Sequence, residues 1–205
     1  MKVKKIQIVI IHGGTTFKNR TDYLNFLKTR PISLEKECNW KNDFEKKISK
    51  YADVIQPRMP NGDNAKYEDW KICFERYILM LSSNIILIGN SLGGIFLVKY
   101  LSENKFSKKI LSTYLVGAPF DNTVVGEDLV GGFTLGRDLS LVSKNSPNTN
   151  LLFSETDELV PLSHAEKYLK KLPEASIFIL EDKNGHFQIE KFPEIIKMVK
   201  KDIKK

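Results

Sequence analysis

The chain has 205 residues, 41% of them apolar and 28% charged, and carries a formal net charge of +7. That length suits one domain able to bury about 70% of its unfolded surface. The composition excludes collagen-like, coiled-coil and disordered chains, and no apolar run approaches the ~20 residues of a membrane span.

The surplus lysines are scattered and densest at Lys197, Lys200, Lys201, Lys204 and Lys205. No aromatic-interleaved basic stripe or zinc-finger spacing accompanies them, so nucleic acid is not an expected partner. Cys38 and Cys73 are too few for a disulfide framework or a metal cluster. They read as free thiols of a reducing, cytoplasmic compartment.

In chain order, Met1-Lys2-Val3-Lys4-Lys5 ahead of residues 6–11 superficially resembles a signal peptide. The apolar stretch is too short, contains Gln7, and runs into His12-Gly13-Gly14 without a small-residue cleavage site. It predicts a buried first strand instead. Residues 17–51 are long for one connection and predict two helices, 21–29 and 40–50, divided by Arg30-Pro31. A strand follows at 53–56. A helix at 68–81 places Trp70, Phe74, Tyr77, Ile78 and Leu81 on one stripe, with Lys71, Glu75 and Arg76 off it. Then come a strand at 85–89, a helix at 92–101 and a strand at 110–116.

Residues 120–148 carry Gly126, Gly131, Gly132, Gly136 and Pro147 and are too long for a plain loop. A strand at 150–154, a helix at 162–172 behind Pro161, a strand at 176–180 and a helix at 193–203 complete the chain. Most strands are continuous Ile/Val/Leu runs, the pattern of a parallel sheet buried on both faces. Strand–helix alternation implies right-handed crossovers and a three-layer α/β sandwich. Residues 1–205 are expected to form one domain, with 17–50 and 120–148 as inserted or pocket-shaping segments.

The stretch Ile85-Ile86-Leu87-Ile88-Gly89-Asn90-Ser91-Leu92-Gly93-Gly94 is a buried strand, a Gly-x-Ser-x-Gly and a helix. Such a serine perches on a sharp strand-to-helix turn with its hydroxyl clear of the sheet. Small residues two before and two after it relieve crowding between strand and helix. The helix N-terminus behind it stabilises developing negative charge. The same glycines do not spell Gly-x-Gly-x-x-Gly, and no Lys-Ser/Thr finishes a P-loop.

A serine hydroxyl needs a base. Of three histidines, His186 lies past the last strand, where a Ser…acid…His order puts the base. His12 ends the first strand and His164 starts a helix; both are alternatives. The orienting acid should follow a strand end between Ser91 and His186, which favours Asp157. Glu155, Glu158 and Asp182 are the other candidates. Oxyanion donors are expected from the Leu92 amide and from the loop after the first strand, at Gly14 or Thr15.

The ordered set His12-Gly13, Pro60-x-x-Asp63 leading to Trp70, Gly89-x-Ser91-Leu92-Gly93-Gly94, Gly117-Ala118-Pro119, Ser154-x-x-Asp157-x-x-Val160-Pro161, Ser163-His164-Ala165 and Gly185-His186-Phe187 spans most of the chain. It resembles the α/β-hydrolase superfamily, and within it the small YdeN-like and retinoblastoma-binding-protein-like serine hydrolases. The resemblance implies a six-stranded parallel sheet of order 2-1-3-4-5-6, without the first two strands of larger relatives. It implies a Ser91–Asp157–His186 triad acting on carboxylic esters or related acyl bonds, with no cofactor and no metal. The expected partner is a small acyl substrate, and the expected assembly a monomer or homodimer. Members often carry His before the nucleophile, where this chain has Asn90, and the segments 17–51 and 120–148 match the family poorly. Thioesterase and acyltransferase chemistry would use the same three side chains. A different class of reading is a catalytically idle binding module on a hydrolase scaffold.

Overall fold

The computed structural model describes residues 5–34, 39–181 and 183–204. Its strands are β1 (Gln7–Ile11), β2 (Asp53–Ile55), β3 (Ile85–Asn90), β4 (Ile110–Val116), β5 (Thr149–Ser154) and β6 (Ser176–Leu180). The helices are α1 (Arg20–Thr29), α2 (Trp40–Ile48), α3 (Tyr67–Met80), α4 (Leu92–Glu103), α5 (Ser140–Asn145), α6 (Ser163–Lys171) and α7 (Pro193–Ile203). The six strands form one parallel sheet in the order β2-β1-β3-β4-β5-β6.

Alternation along the strands divides the core into two faces. Val9, Ile11, Leu87, Leu115, Leu151 and Phe153 point to a layer containing α3, α4, α5 and α6. Ile8, Ile10, Ile86, Ile88, Tyr114 and Leu152 point to the opposite layer, which holds α2 and α7. Strands β3 and β5 are buried almost throughout because helices cover both faces, whereas the edges β2 and β6 are largely exposed or half-buried.

The α3 stripe differs from expectation at one place. Trp70, Phe74 and Ile78 are buried, but Tyr67 at the helix start is buried with them and Tyr77 is only half-buried. Tyr67 packs on Phe96 and Phe133, and its hydroxyl donates to Glu103 Oε2 over 2.6 Å. Burial and that carboxylate hold the Tyr67 phenol far above its ordinary pKa.

Two helices do lie between β1 and β2, and they behave differently. α2 buries Trp40, Phe44 and Ile48, while α1 buries nothing fully. α1 is held by Phe17, whose ring lies 5.1 Å from Phe26 and 5.6 Å from Tyr23. Within 120–148 the chain makes the short helix α5, and a 3-10 turn forms at Gly62–Asn64. Neither element was expected from periodicity. Cys73 is a free, half-buried thiol; Cys38 lies outside the described residues. No helix among the described residues is long and apolar enough to cross a membrane.

Candidate active site

Sheet register gathers the site. Ile11 pairs with Gly89, Asn90 with Val116, and Ser154 with Leu180. The loops after β1, β3, β4, β5 and β6 therefore leave the sheet at one edge, the carboxyl ends of the strands, where α/β sheets place ligands.

Ser91 stands between β3 and α4 with φ 53° and ψ −121°. A non-glycine residue there carries strain of about 1–3 kcal/mol, which its surroundings must hold in place. Two contacts do so: the Ser91 amide donates to Val116 O over 2.8 Å, and the Gly94 amide donates to Ser91 O over 2.8 Å. The flanking glycines are required by space. A Cβ on Gly89 would lie 2.5 Å from Gly93 O, and one on Gly93 would collide with the Ile11 and His12 carbonyls. The Leu92 amide opens α4, where first-turn N–H groups have no partner inside the helix.

His186 belongs to a tight loop in which Asn184, Gly185 and Phe187 all have positive φ. The Phe187 amide bonds Gly185 O over 3.0 Å, and the Phe187 ring is buried against Phe192. That anchor fixes the imidazole between the loops after β4 and β5. His186 Nδ1 lies 2.6 Å from Asp157 Oδ2. The other carboxylate oxygen, Oδ1, accepts from the Leu159 and Val160 amides at 3.1 and 2.9 Å. With Asp157 buried and acceptor-only, the proton of the pair lies on His186 Nδ1, so Nε2 presents a lone pair. Nε2 is buried and has no hydrogen-bond partner among the described residues. Its side chain lines the same cleft, of about 630 Å³, as Ser91, Gly13 and Gly14.

The remaining candidates separate by their partners. His12 Nε2 accepts from the Met59 amide over 2.9 Å, so its proton lies on Nδ1, which donates to Gly13 O over 2.5 Å. His164 is fully buried, accepts the Phe120 amide on Nδ1 over 2.9 Å and reaches Thr123 with Nε2 at 3.3 Å. Burial lowers its pKa, with Lys167 acting in the same direction. Both are structural histidines whose ring nitrogens are committed. The Thr15 amide is bonded to Gly62 O over 2.9 Å. Glu155 is exposed, Glu158 lines the cleft rather than meeting the imidazole, and Asp182 lies outside the described residues.

Three neighbours of the site had no role assigned from the sequence. Gly117, with φ 52°, leaves room for the imidazole: a Cβ there would lie 2.9 Å from His186 Cε1. Asp63 lines the cleft and is held by Arg30 at 2.6 Å. Glu127 also lines it; the residue is exposed, yet desolvation of its carboxyl raises the pKa while His186 pulls the other way. Gly117 and Asp63 stand in the ordered set as Gly117-Ala118-Pro119 and Pro60-x-x-Asp63, with no role assigned to either; nothing local pointed to Glu127.

A serine elbow at the carboxyl edge of a parallel 2-1-3-4-5-6 sheet defines the α/β-hydrolase class of fold. The family model for serine hydrolases matches residues 35–200. The chain belongs to that family, and its class of activity is hydrolysis. It is 24% identical to YdeN of Bacillus subtilis (strain 168) over 137 residues, 66% of this chain and 70% of that one. The crystal structure of the B. subtilis ydeN gene product superposes with a TM-score of 0.78 at 19% identity, covering 98% of this chain and 100% of that one. A YdeN-like hydrolase from Pectobacterium atrosepticum gives 0.66 at 14% identity, over 98% and 91% of the two chains. A carboxylesterase structure from Nitrososphaera gargenis gives 0.62 at 13% identity, over 96% and 89%.

Proposed function

We propose that this hydrolase cleaves small carboxylic esters through Ser91, His186 and Asp157, with the Leu92 and Gly14 amides as oxyanion donors. One observation carries the reading. The 2.6 Å contact between His186 Nδ1 and Asp157 Oδ2 leaves Nε2 as an unpartnered base in the cleft that Ser91 shares. Ser91 and the imidazole make no hydrogen bond among the described residues; such a bond is of the kind that forms or tightens when substrate arrives. Between the two loop donors weighed, Gly14 is favoured because the Thr15 amide is already bonded.

The chemistry balances as an acyl transfer to water. Ser91 Oγ forms a bond to the ester carbonyl carbon as its proton passes to His186 Nε2. The carbonyl oxygen becomes an oxyanion held by two N–H groups, and removing one such donor costs about 3 kcal/mol of transition-state stabilisation. The C–O bond to the alcohol then breaks, and the alcohol leaves with the proton from Nε2. Water, deprotonated by the same nitrogen, attacks the acyl-enzyme and releases the carboxylic acid, returning the proton to Ser91. Asp157 stays ionised throughout and stabilises the transient imidazolium. Carboxylesterases occur among the fold neighbours, and an ester's alcohol, unlike a thiol, needs the proton that His186 Nε2 would deliver.

The test is hydrolysis of p-nitrophenyl acetate by the full chain and by Ser91→Ala. The variant should lose at least about 10⁴-fold in kcat with its fold intact. Turnover retained in that variant would overturn the reading.

A further inference from the structure

The two sides of Ser91 differ greatly in size. In a tetrahedral intermediate on Ser91, the oxyanion points to the Leu92 and Gly14 amides and the alcohol oxygen to His186 Nε2, because that nitrogen must protonate it. The acyl chain takes the remaining direction. The cleft of about 630 Å³ contains His186 together with Ser91 and is therefore the alcohol side. Adjoining it, and sharing Gly14, Ser91, Glu127 and Leu159 with it, a small cavity touches Leu92 but not His186. Its volume is about 20 Å³, against the ~10–15 Å³ that one water-sized group occupies by the same measure. Val124, Leu129, Leu159 and Val160 make its apolar wall, and Thr16, Glu127 and Asp128 line its polar remainder.

The wall is pinned from several directions. Thr16 forms an isolated bridge with Asp128, and its hydroxyl accepts the Val130 amide over 2.8 Å. Lys18 pairs with Asp128 at 2.6 Å, and Lys167 with Asp121 at 2.8 Å. The Val125 amide bonds Leu159 O over 3.1 Å, and the Leu129 amide bonds Asn122 Oδ1. These bonds tie the first part of the 120–148 segment to the β1 loop, to α6 and to the loop carrying Asp157.

We propose that the acyl side of this site is closed beyond an acetyl-sized group, whereas the alcohol side accepts large polar alcohols, so that the substrates are acetyl esters of bulky hydroxylated or amine-bearing alcohols. The inference rests on the assignment of Ser91 and His186 above. It gives the 120–148 segment a function: Val124 and Leu129 set the length of the acid that is released.

The experiment is a p-nitrophenyl ester series from acetate to octanoate, run on the full chain, on Val124→Ala and on Leu129→Ala. Labelling of Ser91 by a fluorophosphonate is read in parallel. Acetate should have the highest kcat/KM, with each methylene beyond the pocket lowering it about 10-fold or more. Val124→Ala, at a half-buried position, should raise butyrate turnover about 10-fold relative to acetate without loss of fold. Leu129→Ala opens more space at a more buried position and should move the optimum further. Octanoate turned over as well as acetate would overturn the inference, as would an acyl profile unchanged in a folded Val124→Ala. Labelled Ser91 with no turnover of any ester in the series also overturns it, while leaving the nucleophile assignment standing. Absence of both labelling and turnover would instead remove the reading on which it rests.

Discussion

His186 and Asp157 are joined by a 2.6 Å contact in which the imidazole donates and the carboxylate accepts, while the second carboxylate oxygen is held by two backbone amides. The carboxylate cannot turn away, so it dictates which imidazole nitrogen carries the proton. Asp157→Asn keeps the shape and removes that control. Its amide nitrogen would face Nδ1 as a donor and favour the tautomer with the proton on Nε2. The expected outcome is a fall in kcat of about 10⁴-fold with KM little changed. Steady-state kinetics on p-nitrophenyl acetate checks it.

Gly117 lets the loop after β4 pass beside the imidazole. Gly117→Ala adds a Cβ 2.9 Å from His186 Cε1 at a residue with φ 52°. The substitution is expected to cost about 1–2 kcal/mol of stability and to displace the imidazole enough to lower kcat about 100-fold. Urea unfolding and turnover, measured on one preparation, separate the two effects.

His164 is a pH-sensitive element of stability rather than of catalysis. Its folded pKa is lowered, chiefly by burial. The unfolded chain therefore binds this proton at a higher pH than the folded chain does. Stability from this group is complete above about pH 6.5 and is lost as pH falls from there toward the lowered folded value. His164→Gln, which does not titrate, should flatten the fall in melting temperature between about pH 6.5 and 5. An unaltered slope would contradict it.

Tyr114 and Asp202 tie α7 to the centre of the sheet. The Tyr114 hydroxyl donates to Asp202 Oδ2 over 2.5 Å, both residues are buried, and Asn148 Nδ2 lies 3.2 Å from the same oxygen. Burial raises the phenol pKa far above its ordinary value, with the carboxylate adding to it. Tyr114→Phe should destabilise the fold by about 1–3 kcal/mol, seen in urea unfolding, while kcat per folded molecule stays unchanged.

The alcohol side of the cleft has a sign of charge opposite to that of the whole chain. Asp63, Glu127 and Glu158 line it, with no lysine or arginine among the lining residues. Arg30 offsets Asp63, which leaves Glu127 and Glu158 to set the local field. Acetyl esters of cationic alcohols should exceed anionic ones in kcat/KM by about 10-fold at low salt, and the gap should shrink with ionic strength. Glu158→Gln should narrow it without altering p-nitrophenyl acetate turnover.

The sheet was legible because its information is local and redundant. The central strands carry aliphatic runs, uninterrupted in β1 and β3 as from Ile85 to Ile88, and each strand is followed in the chain by a helix. Ser91 was legible for a similar reason: Gly89 and Gly93 are fixed by contacts within the same turn. Asp157 and His186 could be picked out by their place after a strand, and the structure joins them. What could not be read is what depends on distant chain segments. The exchange of Tyr77 for Tyr67 on the buried face follows from Phe133 and Glu103, far away in sequence. Glu127 reaches the cleft from a loop whose next residue, Asp128, is bridged to Thr16, far away in sequence. The turn at Gly62–Asn64 and the helix α5 are too short for periodicity to register.

The proposed activity depends on the imidazole of His186 turning Ser91 into a nucleophile. That dependence is measured most directly by mass spectrometry of the full chain treated with a fluorophosphonate, compared with Ser91→Ala and His186→Ala. One adduct per chain, on the peptide containing Ser91 and nearly absent from both variants, is the predicted result. An adduct elsewhere, or equal labelling of Ser91 in His186→Ala, would contradict it.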